Sequence, residues 1–264
     1  MALYFSTGLR QQIAQNVSYK RALQGGVMII YAGTAPTSAN DAAATGASQL
    51  VLITLGSAAY TAETQGSAVI TFGGAGGSVD TFTVGKSGET AIEIMGAVVP
   101  YVDSLTQTAT NVVAQIQKYL SNPEYEVSSS AGVITVKPIL NTGAAQNAYV
   151  VTVTTTTMTE DAPQSIAAGV ASVAGLTYLY GVDGVLTKTG TWSGVVANTG
   201  TAAYWRIYGP NGNEWGSPSS STTQIRIQGT CGTSSTYDYM MASTTLTAAT
   251  THTVDTFNLT LPAA

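Results

Sequence analysis

Gly25-Gly26-Val27-Met28-Ile29-Ile30-Tyr31-Ala32-Gly33-Thr34-Ala35-Pro36 begins a pattern that resumes only in the last third of the chain. Residues 27–31 form a short apolar run rich in β-favouring side chains, and the turn-rich stretch 33–41 closes it. Leu50-Val51-Leu52-Ile53-Thr54-Leu55 supplies a second strand. The same character returns in Ala203-Tyr204-Trp205-Arg206-Ile207-Tyr208 and in Gln224-Ile225-Arg226-Ile227-Gln228, with Pro210-Asn211-Gly212 as a turn between them. Arg206 and Arg226 sit where polar and apolar residues alternate, which predicts half-buried antiparallel strands. At the end, Val254, Thr256, Asn258 and Thr260 alternate with Asp255, Phe257, Leu259 and Leu261. Neither part holds enough strands to close a core alone. Residues 1–65 and 173–264 are therefore expected to build one antiparallel β-sandwich.

Ahead of the first strand, residues 6–24 read as a single N-terminal helix. Ser6 is its expected N-cap, Leu9, Ile13 and Val17 fall four apart, Lys20 and Arg21 suit its C-terminal end, and Gly25-Gly26 stops it. Residues 66–172 read as a small α+β domain inserted into the sandwich. Strands are expected at 68–72, 80–84, 91–95 and 97–102, a helix at 108–120 ended by Asn122-Pro123, then strands at 125–128, 133–138 and 148–157. The stretch 159–175, with Pro163, Gly169 and Gly175, reads as the return linker. The expected fold class is mainly β: an antiparallel sandwich with an N-terminal helix, split by this insert.

Composition narrows the function. The chain has 264 residues, 44% hydrophobic and only 9% charged, against about a quarter charged in ordinary soluble proteins. Gly, Ala, Ser and Thr take the place of Lys and Glu, which suits a surface packed against neighbours in an assembly. With nine Lys and Arg against fourteen Asp and Glu, scattered along the chain, nothing can neutralise a run of phosphates, so no nucleic-acid partner is expected. Apolar stretches are short and broken, which predicts no spanning helix, and Met1-Ala2-Leu3-Tyr4-Phe5-Ser6 lacks the pattern of a secretion signal. Assembly in a cytoplasm, without membrane association, is the expectation.

Several segments resemble a family. The opening Gly25–Pro36 run, Asn40-Asp41-Ala42-Ala43 and the Leu50–Leu55 run are similar to the start of small virion proteins of tailed bacteriophages. Trp192-Ser193-Gly194, Gly200-Thr201-Ala202-Ala203-Tyr204-Trp205-Arg206-Ile207-Tyr208, Ile227-Gln228-Gly229-Thr230 and Phe257-Asn258-Leu259-Thr260-Leu261-Pro262 look like their closing part. The insert, with residues 111–120 before Pro123-Glu124-Tyr125 and the Thr-rich 150–157, resembles a module that recurs in phage structural proteins. The resemblance implies a non-catalytic virion protein, present in many copies as a homo-oligomer. Its partners would be the major capsid protein or other virion proteins, and it would have no cofactor. A capsid decoration (cement) protein is the favoured place. A tail component (tube, baseplate or fibre attachment) and a carbohydrate-binding adhesin module are the alternatives.

Chemical motifs are few. Gly85-Lys86-Ser87 mimics the end of a phosphate loop, yet Asp80 stands where the loop needs glycine, so it reads as a turn. Gly73-Gly74-Ala75-Gly76-Gly77 reads as a hairpin loop, without the helix or acidic residue a dinucleotide site requires. His252 is the only histidine and Cys231 the only cysteine; the first reads as structural, the second as a turn or buried thiol. Glu160-Asp161 and the pair Glu124 and Glu126 read as solvated acids rather than a facing catalytic pair. Tyr178, Tyr180, Trp192, Tyr204, Trp205, Tyr208, Trp215, Tyr237 and Tyr239 crowd the last third, and packing is their ordinary use over sugar or protein binding. The candidate interface is Leu3, Tyr4 and Phe5, apolar and ahead of the first helix cap. They are expected to pack across a subunit boundary or against their own helix.

Overall fold

The computed structural model describes residues 3–15, 17–119, 124–180, 184–211, 216 and 218–260. The fold is mainly β, built of antiparallel sheets with few helices. It divides into two compact units, one of residues 1–63 and 172–264, the other of residues 64–171.

In the first unit the main sheet runs Tyr4–Phe5, Arg226–Gly232, Gly200–Tyr208, Val27–Ala32, Gln49–Leu55, Trp192–Val195, Thr251–Val254. The distant segments therefore pair: Met28 lies opposite Ile207 and Ile30 opposite Trp205 at the centre of the sheet. A three-stranded sheet of Thr177–Tyr180, Val185–Thr189 and Asn258–Thr260 accompanies it. An aromatic chain fills the core. Trp192 meets Tyr178 edge-on at 5.0 Å and Phe257 at 5.5 Å, and Phe257 meets Trp205 edge-on at 5.1 Å. Offset and edge-on pairs of this kind add to the large apolar area that such rings bury.

On the other face of the central strands, Tyr31 stacks on Tyr204 at 4.7 Å and shares a 2.8 Å hydrogen bond with the Tyr208 hydroxyl. The segment 33–45 folds back over these rings, and the Ala44 N–H donates to the Tyr204 hydroxyl at 3.1 Å. Arg206 and Arg226, expected to be half-buried, are fully buried here. Strand alternation marks only the facing of a side chain. It cannot reveal that a distant loop closes over it. The Arg206 guanidinium donates to Asp41 O at 2.8 Å and to Gln228 Oε1 at 2.5 Å, and Gln228 Nε2 donates to Pro36 O at 2.7 Å. Arg226 reaches Asn40 O at 3.3 Å. The planar fork of arginine suits such carbonyl clamping better than a lysine would.

The N-terminal helix is two helices, Thr7–Ala14 and Tyr19–Leu23, rather than one over 6–24. Ser6 caps the first by accepting from the Leu9 N–H at 3.1 Å. Ser18 is extended and its hydroxyl accepts from the Arg21 N–H at 3.2 Å, which starts a new helix where the stripe alone suggested continuity. Gly25 follows with a positive φ of 78°. Gly26 lies so close to Tyr208 that a Cβ there would sit 2.0 Å from its carbonyl oxygen.

The described residues of the second unit form two sheets and one helix. One sheet orders Gln164–Ser165, Tyr149–Thr156, Ser78–Lys86 and Ile92–Glu93, with Val99–Pro100 also on Ser78–Lys86; the other orders Thr159–Glu160, Ala68–Gly73, Val133–Pro138 and Tyr125–Ser130. Ile70, Phe82, Val112, Ile116, Ile134 and Val151 share its core. The helix is Leu105–Lys118, starting before the expected 108 because Ser104 caps it, accepting from the Gln107 N–H at 3.2 Å. Leu120 and the Asn122-Pro123 stop lie outside the described residues.

Three details of this unit depart from the sequence reading. The glycine-rich 73–77 stretch is no hairpin, because Ala68–Gly73 and Ser78–Lys86 belong to different sheets and the stretch crosses between them. The strands expected at 91–95 and 97–102 shrink to two residues each, Ile92–Glu93 and Val99–Pro100. Around the first, the Glu93 carboxylate takes the N–H groups of Met95 at 2.8 Å and Gly96 at 3.0 Å, turning the chain out of the ladder. The stretch 159–175 is largely paired rather than free: Thr159 lies opposite Gly73, and Val151 opposite Gln164.

Candidate functional site

A groove of about 640 Å³ in the first unit brings His252, Tyr239 and Asp255 together. One wall is the edge strand Thr251–Val254 with Asp255; the other is formed by residues 239–247. Tyr239 and Met240 pair with the end of Arg226–Gly232, and Leu246 pairs with Gly200, so two different strands hold that wall. Hydroxyls dominate the lining, from Thr245, Thr247, Thr250, Thr251 and Thr253.

His252 Nε2 lies 3.1 Å from the Tyr239 hydroxyl. Burial pushes the imidazole below its ordinary 6.5, against a smaller upward pull from Asp255. Burial likewise raises Tyr239, with Cys231 and Asp255 adding to it. The pair is thus a neutral histidine against a protonated tyrosine. Nothing in it activates a nucleophile: Ser243, the serine in the groove lining, accepts from the Thr245 N–H at 3.1 Å instead. Cys231 is buried, and burial with the nearby Asp238 raises its thiol well above the ordinary range, the opposite of an activated thiolate. No group of three or more His, Cys, Asp or Glu stands close enough to hold a metal among the described residues.

The other candidates have ordinary partners. Lys86 ends its strand, and its ammonium meets Glu89 at 3.3 Å in the turn that follows. Glu126 accepts from Gln65 Nε2 at 3.3 Å, and Asp161 accepts from the Thr71 N–H at 2.7 Å. Tyr178, Trp192, Tyr204, Trp205, Tyr208 and Tyr239 are buried; Tyr180 and Tyr237 are exposed. Trp215 lies outside the described residues. The Tyr239–His252 pair was not legible in the sequence, since nothing in residues thirteen apart on separate strands signals contact.

Leu3, Tyr4 and Phe5 come together at the opposite edge of the main sheet. Tyr4 and Phe5 pair with Gln228 and Ile227, extending the sheet. Phe5 meets Tyr19 edge-on at 6.1 Å, Leu3 is half-buried, and Tyr4 is 45% exposed.

His252→Ala combined with Cys231→Ser should leave the chain folded, with at most a modest loss of stability. Loss of a measurable hydrolytic activity in a folded double variant would restore an enzymatic reading. His252 also carries a sign for stability. A folded value below 6.5 means the unfolded chain binds the proton more readily. The contribution is therefore intact above about pH 6.5 and is lost as pH falls through the folded value. Wild type should lose stability over that window relative to His252→Ala, measured by chemical denaturation.

No protein-family model, curated protein or solved structure matches this chain.

Proposed function

We propose that this chain is a non-catalytic structural component of a tailed-phage particle, and within that class a decoration protein of the assembled head. The observation that carries the reading is how little charge the fold leaves for recognition. The chain has nine Lys and Arg, and two of them, Arg206 and Arg226, are fully buried as clamps on its own loop. Lys86 and Glu89 form an ion pair in which both side chains are exposed. What remains outside is mostly hydroxyl, glycine and small apolar surface, with single exposed side chains such as Val195, Leu179 and Met240. Such a surface binds through non-polar area and backbone pairing. The resemblance of the strand motifs to small virion proteins gives that surface its place. Burial of Tyr178, Trp192, Tyr204, Trp205, Tyr208 and Tyr239 leaves only Tyr180 and Tyr237 of the described set exposed, which favours packing over the adhesin alternative.

The test is re-binding of the purified chain to particles that lack it, across ionic strength. Affinity should change little between low and physiological salt, because screening acts on charges this surface mostly lacks. A steep loss as salt rises would overturn the reading and require an electrostatic dock.

A further inference from the structure

We propose that the edge strand Thr251–Val254 is a self-association site, pairing antiparallel with the same strand of a second copy to make one continuous sheet across two chains. This names a surface for the self-association that belongs to the proposed structural role. It is read in solution, whereas that role is read on particles, so the two can fail separately.

The strand is the last in the main sheet order, with Trp192–Val195 on one side and none on the other. Its backbone polarity is fixed by its neighbour. The Val196 N–H donates to Thr250 O at 2.8 Å, and the same alternation continues through Gly194 opposite His252 and Trp192 opposite Val254. In an antiparallel ladder, residues alternate in the direction of their N–H and C=O groups. Those of Thr251 and Thr253 therefore face away from the sheet, and both residues are exposed.

Natural edges are blunted by shortness, charge, proline or cover. Most of the other edges among the described residues show such devices, and Asn258–Thr260, uncharged and without proline, is limited to three residues. Tyr4–Phe5, Ile92–Glu93, Thr159–Glu160 and Gln164–Ser165 have two residues each. Tyr125–Ser130 carries Glu126, and in Thr177–Tyr180 Tyr178 is buried and Lys20 sits 5.3 Å over the Tyr180 ring. Thr-His-Thr-Val has four residues, no charge and no proline, and a groove runs beside it.

The strand's own register makes a second copy the occupant it matches. A two-fold axis through Thr253 sets Thr253 against its counterpart, and Thr251 of one copy against Asp255 of the other, so no like charges oppose. Thr–Thr pairs across strands are favourable. Two exposed apolar side chains flank the strand: Val195, which lies opposite Thr251 in the sheet and is 57% exposed, and Met240 in the groove lining, 61% exposed. A second copy on this edge would take apolar area of these side chains out of water.

Light scattering behind size exclusion on the full chain, over a dilution series, tests this. Wild type should be a dimer that dissociates on dilution. Thr253→Pro removes one outward N–H and leaves the ladder bonds of His252 and Val254 in place, so it should be monomeric with an intact melting transition. Thr253→Lys sets two like charges face to face and should raise the dimer Kd by roughly tenfold at low salt, with recovery as salt rises. If Thr253→Pro fails to fold, Thr253→Lys and hydrogen exchange on wild type decide: the Thr251 and Thr253 amides should be protected when concentrated and exposed when dilute. A wild type that stays monomeric, a dimer untouched in the folded variants, or exchange at these amides independent of concentration would overturn the proposal.

Discussion

Replacing Arg206 with alanine should lower the unfolding free energy by about 3–5 kcal/mol, from buried acceptors left without a donor plus the cavity left by the side chain. The acceptors are the Asp41 carbonyl and the Gln228 side-chain oxygen, the latter also holding Pro36 through its amide nitrogen. For a unit of this size the melting temperature should fall by roughly 10 °C. Arg206→Lys should recover only part of the loss, because an ammonium cannot span both acceptors as the guanidinium does. The damage should be local before it is global: protease should cut within residues 33–45 of the variant under conditions where wild type resists. A melting temperature within a degree of wild type would mean that the loop holds without its clamp.

Removing residues 64–171 and joining Glu63 to Ser172 through a short Gly/Ser turn should leave a soluble, cooperatively folding unit. The physical reason lies at the cut. Thr61 and Val173 already exchange backbone hydrogen bonds, at 3.2 Å and 2.9 Å, so the chain ends to be joined run side by side as the arms of a hairpin. The core of the remaining unit, Trp192, Phe257, Trp205 and Tyr178 with the stacked Tyr31 and Tyr204, lies within residues that the deletion spares. Thr64 and Val170 form the matching pair at the mouth of the second unit, so residues 64–171 should also fold when expressed alone. Circular dichroism and a single sharp melting transition check both products. If neither piece folds, the two compact units are interdependent and the reading of an insert fails.

These two experiments touch what the sequence made legible and what it hid. The strands at 27–32, 49–55 and 200–208 were readable because local runs of Val, Ile and aromatic residues carry their own β preference. Their pairing across the chain followed from a count of strands. The break before Ser18 was hidden because the stripe of Leu9, Ile13 and Val17 runs past the end of the first helix: Val17 lies between the two helices yet is buried as Leu9 is. Glycine at 73–77 signals a change of direction, but whether the chain returns in the same sheet or crosses to another depends on partners tens of residues away. The groove of His252 and Tyr239 was hidden for a similar reason. It is assembled by a parallel pairing of Cys231 with Tyr239 and by a separate strand at 251–254, and neither leaves a local trace. Burial of Arg206 and Arg226 depended on a loop whose sequence shows only turns.

The central claim concerns place rather than stability, and one measurement addresses it directly. The proposed role requires phage particles that contain this chain: with such particles separated into heads and tails, the chain is counted in each fraction by quantitative mass spectrometry against the major capsid protein. The account predicts many copies in the head fraction, in a fixed ratio to the capsid protein, and none beyond background in tails. Enrichment in the tail fraction would contradict the decoration reading, and absence from both would contradict a structural role in the particle.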